Sequence, residues 1–169
     1  MVYETIIGVQ DLKSNLGHTD WVIIDCRFSL AEPASGEIEY RQSHIPGSYY
    51  AHLDHDLSSP IIPRVTGRHP LPDPESIVSK IRTWGCNHRS QVVVYDHSIG
   101  GIASRLWWIF RWLGHEKVAV LDGGWNAWVN AGMPVSSNIP LAKQGNFQMH
   151  RRDDLILNWQ EINQIRNDP

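Results

Sequence analysis

Gln91-Val92-Val93-Val94-Tyr95-Asp96-His97-Ser98-Ile99-Gly100-Gly101-Ile102 decides how the chain is read. Val92 to Tyr95 is a short run rich in β-branched residues, with no polar alternation. A strand buried on both faces of a parallel sheet has that pattern. The run stops at Asp96, and a Gly-containing loop leads into the apolar, helix-forming segment Ile102–Leu113. In parallel α/β sheets, ligands bind at the carboxyl ends of the strands. A loop feeding a helix N-terminus presents free backbone N–H groups in a field that favours anions. Asp96, His97, Ser98, Ile99, Gly100 and Gly101 therefore form a candidate cradle for a small oxyanion. On glycine content alone, the same segment reads first as an ordinary β-to-α connection.

Two further runs share the strand pattern, Trp21–Cys26 and Lys117–Leu121, and a short strand is expected at Ser48–Ala51. Helical spacing marks Gly8–Leu16, the segment opened by Asp73-Pro74 and ended by Gly85, Ile102–Leu113, and Gly124–Ala131. Asp73 and Pro74 supply a cap and a first-turn proline, and Leu113-Gly114 supplies a stop. Strands alternating with helices predict βα units around a parallel sheet. Ser29–Pro72 is punctuated by prolines and reads as long ordered loops. Pro134–Arg152 is polar and reads as a linker. Leu155–Leu157 then reads as a strand and Asn158–Ile165 as the start of a helix, a tail too small to form a core of its own.

Composition narrows the function. Fifteen Lys and Arg against eighteen Asp and Glu give a formal net charge of -3, and 41% of the 169 residues are hydrophobic. That is an ordinary globular balance. It carries no footprint of nucleic-acid binding, no apolar run long enough for a membrane span and no signal-peptide pattern. The two cysteines, Cys26 and Cys86, lie beside apolar runs and read as reduced, buried thiols of a cytoplasmic protein. No CxxC or CxxH pair suggests zinc. His52 and His55 lie three apart among acids but have no third ligand in register, so no metal and no cofactor are expected.

Three chemistries suit a loop such as 96–101. A P-loop needs a Gly-Lys-Ser/Thr ending, which is missing. A thiolate nucleophile needs a Cys, and the loop has none. A carboxylate nucleophile would be Asp96, but the second acid that such phosphatases place two residues on is Ser98 here. Arg105, in the first turn of the following helix, is a candidate partner for Asp96 or for an anion.

Several motifs taken together resemble the rhodanese superfamily. Tyr40 followed by His44-Ile45-Pro46-Gly47-Ser48 matches that family's aromatic-x-x-x-His-aliphatic-Pro-Gly-Ala/Ser signature, and Asp25-Cys26-Arg27 matches its D-x-R. Thr66-Gly67-Arg68-His69-Pro70, the 92–96 strand end, Ala103-Ser104-Arg105, Gly114-His115 and Leu121-Asp122-Gly123-Gly124-Trp125 follow in the family's order. The resemblance covers roughly Tyr3 to Ser137. It is most similar to the amino-terminal domain of tandem thiosulfate/mercaptopyruvate sulfurtransferases of bacterial type.

This resemblance implies an α/β, three-layer fold with a central, mostly parallel five-stranded sheet flanked by helices. It implies one rhodanese-like domain over 1–137, then a linker and the first elements of a second over 138–169. Catalytic members carry a Cys where this chain has Asp96. That Cys takes the outer sulfur of a donor as a persulfide and passes it to an acceptor. The resemblance therefore implies a catalytically silent domain whose partner is a second rhodanese domain of the same full-length chain. A small anionic sulfur donor would bind only in the complete enzyme. Asp25 and Arg27 are expected to pin the turn at His44, Pro46 and Gly47 structurally. His97 and Ser98 are exposed candidates for contact with a partner domain. A stand-alone binding module and an Asp96-based phosphatase are the alternatives. The Trp-rich helix, with Trp107, Trp108 and Trp112, is expected to leave apolar surface exposed.

Overall fold

A computed structural model of the chain describes residues 1–97 and 99–166. The three apolar runs form β2 (Trp21–Asp25), β4 (Gln91–Tyr95) and β5 (Val118–Leu121). Two-residue strands, β1 (Ile6–Ile7) and β3 (Tyr49–Tyr50), close the edges. The sheet order is β1-β5-β4-β2-β3, and every pairing is parallel. All five residues of β4 are buried, as expected for a strand without polar alternation.

Alternation along the strands divides the core in two. Val22, Ile24, Val92 and Val94 face one side, against α3 (Pro74–Thr83) and α4 (Ala103–Trp112). Ile23, Val93, Tyr95 and Ala119 face the other, against Leu12 of α1 (Val9–Ser14) and Trp128 of α5 (Gly124–Asn130). Asp73 caps α3 by accepting the Ser76 N–H at 2.9 Å, with Pro74 at the first turn. The register pairs Asp25 with both Tyr95 and Tyr50, so the carboxyl ends of β2, β3 and β4 lie level.

Three expectations change. Ser29–Pro72 is not loop throughout, because α2 (Ser35–Gln42) forms within it. This helix is short and mostly polar, and it is set down by one close approach. A Cβ on Gly36 would lie 2.0 Å from the Arg27 carbonyl oxygen. The segment 134–152 packs along the domain instead of hanging free. Ser136 and His44 exchange two backbone hydrogen bonds, Gly145 N–H reaches Arg82 O at 2.8 Å, and Phe147 is 1% exposed beside Phe110 and His115. Leu155–Leu157 is not a strand: Asp153–Leu155 is a single 3₁₀ turn, and among the described residues no strand pairs with this segment. α6 (Trp159–Arg166) follows, with no buried residue.

Candidate functional site

The carboxyl end of β4 delivers Asp96 directly beneath the N-terminus of α4. Asp96 is 5% exposed. Its Oδ1 accepts the Gly100 N–H at 3.0 Å, and its Oδ2 accepts the N–H groups of Ile102 and Ala103 at 2.9 and 3.2 Å. Gly100, at φ 74, makes the backbone curl that turns its amide inward. At the loop read from the sequence as a candidate anion cradle, three backbone amides thus converge on the carboxylate of residue 96 itself. Gly101 leads into the helix, and Ile99 is 92% exposed beside the cradle. Ser98 lies outside the described residues.

The loop is also held from behind. Trp125 N–H donates to Asp96 O at 2.8 Å and Asn126 N–H donates to His97 O at 2.9 Å. The first amides of α5 thus fix the loop's carbonyls while the first amides of α4 fix its carboxylate. His97 Nε2 sits 2.8 Å from Glu39 Oε2, and Glu39 lies 3.8 Å from Arg27 Nη1. Sequence reasoning missed Glu39, because a lone acid on a helix with no motif gives no signal.

Asp25 and Arg27 form a buried pair, 2.7 Å apart. Arg27 Nη2 also donates to Ser43 O at 2.7 Å, and its guanidinium carbon lies 4.3 Å from the centre of the Trp125 ring. Burial pushes the Asp25 carboxyl above its usual range, while the Arg27 hydrogen bonds and charge pull it down. The turn at Ile45–Ser48 is pinned partly through a residue the sequence did not single out. Tyr95 donates its hydroxyl to Asp25 Oδ2 at 2.7 Å, accepts the Ile45 N–H at 3.2 Å and contacts Ser48 Oγ at 3.2 Å. Pro46 and Gly47, with Gly47 at φ 79, form the bend between them. His44 stacks on Tyr40 at 4.3 Å, and its ring nitrogens lie 2.7 and 3.1 Å from the carbonyls of Tyr40 and Asn138.

Arg105 corrects an expectation. It does not pair with Asp96. Its Nε donates to Leu57 O at 2.9 Å, and its Nη2 donates to His69 O, Pro70 O and Ser58 Oγ. The Ser58–Pro72 excursion brings carbonyls to a half-buried guanidinium, while the Asp96 carboxylate is taken up by backbone amides. Burial lowers the Arg105 pKa.

Neither cysteine is placed for nucleophilic chemistry. Both are completely buried, and burial raises both thiols, Cys26 further through the nearby Asp25, Asp96 and Asp56 carboxylates. Among the described residues, no three His, Cys, Asp or Glu side chains stand close enough to hold a metal, and no helix is long and apolar enough to cross a membrane.

A parallel α/β sheet with an amide cradle at the carboxyl end of its central strand defines the class. Residues 8–131 match the rhodanese-like domain family, and the chain belongs to that family. It is 42% identical, over 144 residues, to a probable 3-mercaptopyruvate sulfurtransferase of Pseudomonas aeruginosa, covering 85% of this chain and 51% of that protein. It is 36% identical over 137 residues to thiosulfate/3-mercaptopyruvate sulfurtransferase 2 of Arabidopsis thaliana, covering 80% of this chain and 39% of that protein. The structure of 3-mercaptopyruvate sulfurtransferase from Leishmania major superposes with a TM-score of 0.78 at 28% identity, over 88% of this chain and 42% of that one. The chain spans about half the length, or less, of these relatives.

Proposed function

We propose that this chain is the non-nucleophilic half of a sulfurtransferase acting on thiosulfate or 3-mercaptopyruvate. Its role is to shape and stabilise a second rhodanese domain of the same polypeptide, which carries the thiol. The occupied cradle is the observation that supports this reading. Three backbone amides that would receive a thiolate or a transferred sulfur already hold the Asp96 carboxylate. A carboxylate there brings negative charge toward an anionic donor and forms no persulfide. The buried thiols of Cys26 and Cys86 offer no substitute.

The same geometry counts against the phosphatase reading. A carboxylate whose two oxygens already accept three backbone amides is poorly placed for in-line attack. Thiocyanate formation from thiosulfate and cyanide tests the proposal. No turnover is expected from the 169-residue chain. Turnover that Cys26→Ser or Cys86→Ser abolishes overturns it, and magnesium-dependent phosphate release lost in Asp96→Asn restores the phosphatase reading.

A further inference from the structure

His52 follows β3 and opens a helical turn over residues 53–57 in an unusual way: its imidazole is the cap. Nδ1 accepts the Asp54 N–H at 3.1 Å and the His55 N–H at 3.4 Å. In return, Asp56 Oδ2 accepts the His52 N–H at 2.8 Å, and the His52 carbonyl accepts the N–H groups of Asp56 and Leu57. This is a reciprocal capping box in which a histidine stands where Ser, Thr or Asp is usual. An imidazole that accepts at Nδ1 is neutral, with its proton on Nε2. A proton at Nδ1 turns the acceptor into a donor aimed at two N–H groups, so the cap and the cation exclude each other.

The surroundings favour the neutral ring. His52 is 7% exposed, stacks on His55 at 4.1 Å and meets the edges of Phe28 and Tyr50. Burial and His55 hold its pKa below the usual value, against the pull of Asp54 and Asp56 on the same turn and Glu37 from α2. Asp56 is itself paired with Lys80 of α3 at 2.9 Å, and Asp54 meets His69 of the 58–72 excursion at 3.0 Å. The turn ends at Leu57, whose carbonyl seats Arg105 Nε at 2.9 Å. The cap therefore helps to hold the residue that ties the excursion to the N-terminus of α4.

We propose that His52 is an acid-sensitive cap: the 53–57 turn closes on the neutral imidazole and loosens when the ring takes a proton, releasing the Leu57 seat of Arg105. A second histidine, His69, also contacts this turn through Asp54. Its effect must be separated in the test.

The experiment uses the whole chain. Imidazole ¹⁵N NMR follows His52 from pH 7.5 to 5.5 while amide exchange is followed at Asp54 and His55, corrected for the intrinsic pH dependence of exchange. The Nε2–H tautomer is expected at pH 7.5. Protection of both amides should fall about tenfold per pH unit below about pH 6.5, where the ring of the opened turn takes a proton, down to the lowered value of the capped ring. His52→Asn keeps a capping acceptor that does not titrate, so its protection should stay level. His69→Gln should keep the fall. An Nδ1–H tautomer at pH 7.5, titration of His52 without loss of protection, or an equal fall in His52→Asn overturns the proposal. The wild-type tautomer and exchange data decide it even if the variant does not fold.

Discussion

The carboxylate of Asp96 accepts the backbone N–H of Ile102 at 2.9 Å, so the residue that ends the central strand is also the anion at the start of the next helix. One side chain joins strand, loop and helix. Asp96→Ala leaves the amides of Gly100, Ile102 and Ala103 without their acceptor and removes a charge that favours the helix N-terminus. A loss of about 2 kcal/mol is expected, lowering Tm by roughly 4–8 °C for a chain of this size. Calorimetry checks this. An unchanged Tm would show that the cradle contributes nothing to stability.

The cradle should also act on another anion placed in it. In Asp96→Cys the introduced thiol faces the same converging amides, which favour its thiolate. Fast alkylation by iodoacetamide at pH 6.5 is expected from this variant alone. The buried thiols of Cys26 and Cys86 should react slowly in both proteins. Equal, slow alkylation of the variant and the wild type would mean that the amides do not act on a sulfur at position 96.

Arg27→Met tests the pair beneath the loop. It leaves the fully buried Asp25 carboxylate without its cation, and it removes the guanidinium from Ser43 O and from the Trp125 ring. Breaking such a pair from one side costs about 3–5 kcal/mol. Tyr95→Phe removes only the hydroxyl shared by Asp25 and Ile45 and should cost about 1–3 kcal/mol. Urea unfolding of both variants gives the order. The reverse order would place the anchor of the turn in Tyr95 instead of the ion pair.

What the sequence made legible follows from how local each signal is. The β4 run and the Asp73-Pro74 cap each rest on adjacent residues, and each is where its reading put it. Arg105 was legible as a buried cation needing partners but not in its choice of partners. Carbonyls of residues 57, 69 and 70 reach it only because the excursion folds back. α2 was missed because Ser35–Gln42 is short and mostly polar, and its packing of Gly36 against the Arg27 carbonyl is a contact that no local pattern announces. Glu39 joined the site by the same route, through placement of a helix and not through a motif.

Acid should weaken the fold through His115. Burial holds its pKa below the ordinary histidine value, with Lys117 and His88 adding to the shift against the pull of backbone hydrogen bonds. The unfolded chain therefore binds the proton more readily. This contribution is complete above about pH 6.5 and is lost as pH falls from there through the lowered folded value. His115→Gln keeps a donor for Ser90 O, which lies 2.9 Å from Nε2 in the wild type, and removes the titration. Stability measured in urea between pH 7.5 and 5 should decline less steeply in this variant. An identical decline would assign the acid sensitivity elsewhere.

The segment after Pro134 gives the sharpest test of where the folded unit ends. Its composition reads as a linker, yet Phe147 is 1% exposed and packs against Phe110 and His115 at 6.0 and 5.7 Å. Gly145 lies so close to the Cys86 backbone that a Cβ would stand 2.0 Å from its carbonyl oxygen. Arg82 Nε donates to Phe147 O at 3.0 Å, and Phe147 N–H donates to Cys86 O at 3.1 Å, closing the segment onto the turn after α3. Phe147→Ala should therefore cost about 3–5 kcal/mol, as for an aromatic removed from a core. Gly145→Ala should displace the strap and open residues 143–150 to protease while leaving the cradle intact. Ending the chain at Ser137 removes the strap altogether and should lower Tm by more than either substitution. Equal melting of the shortened and full-length chains would return the boundary to residue 137 and make the strap a passive linker.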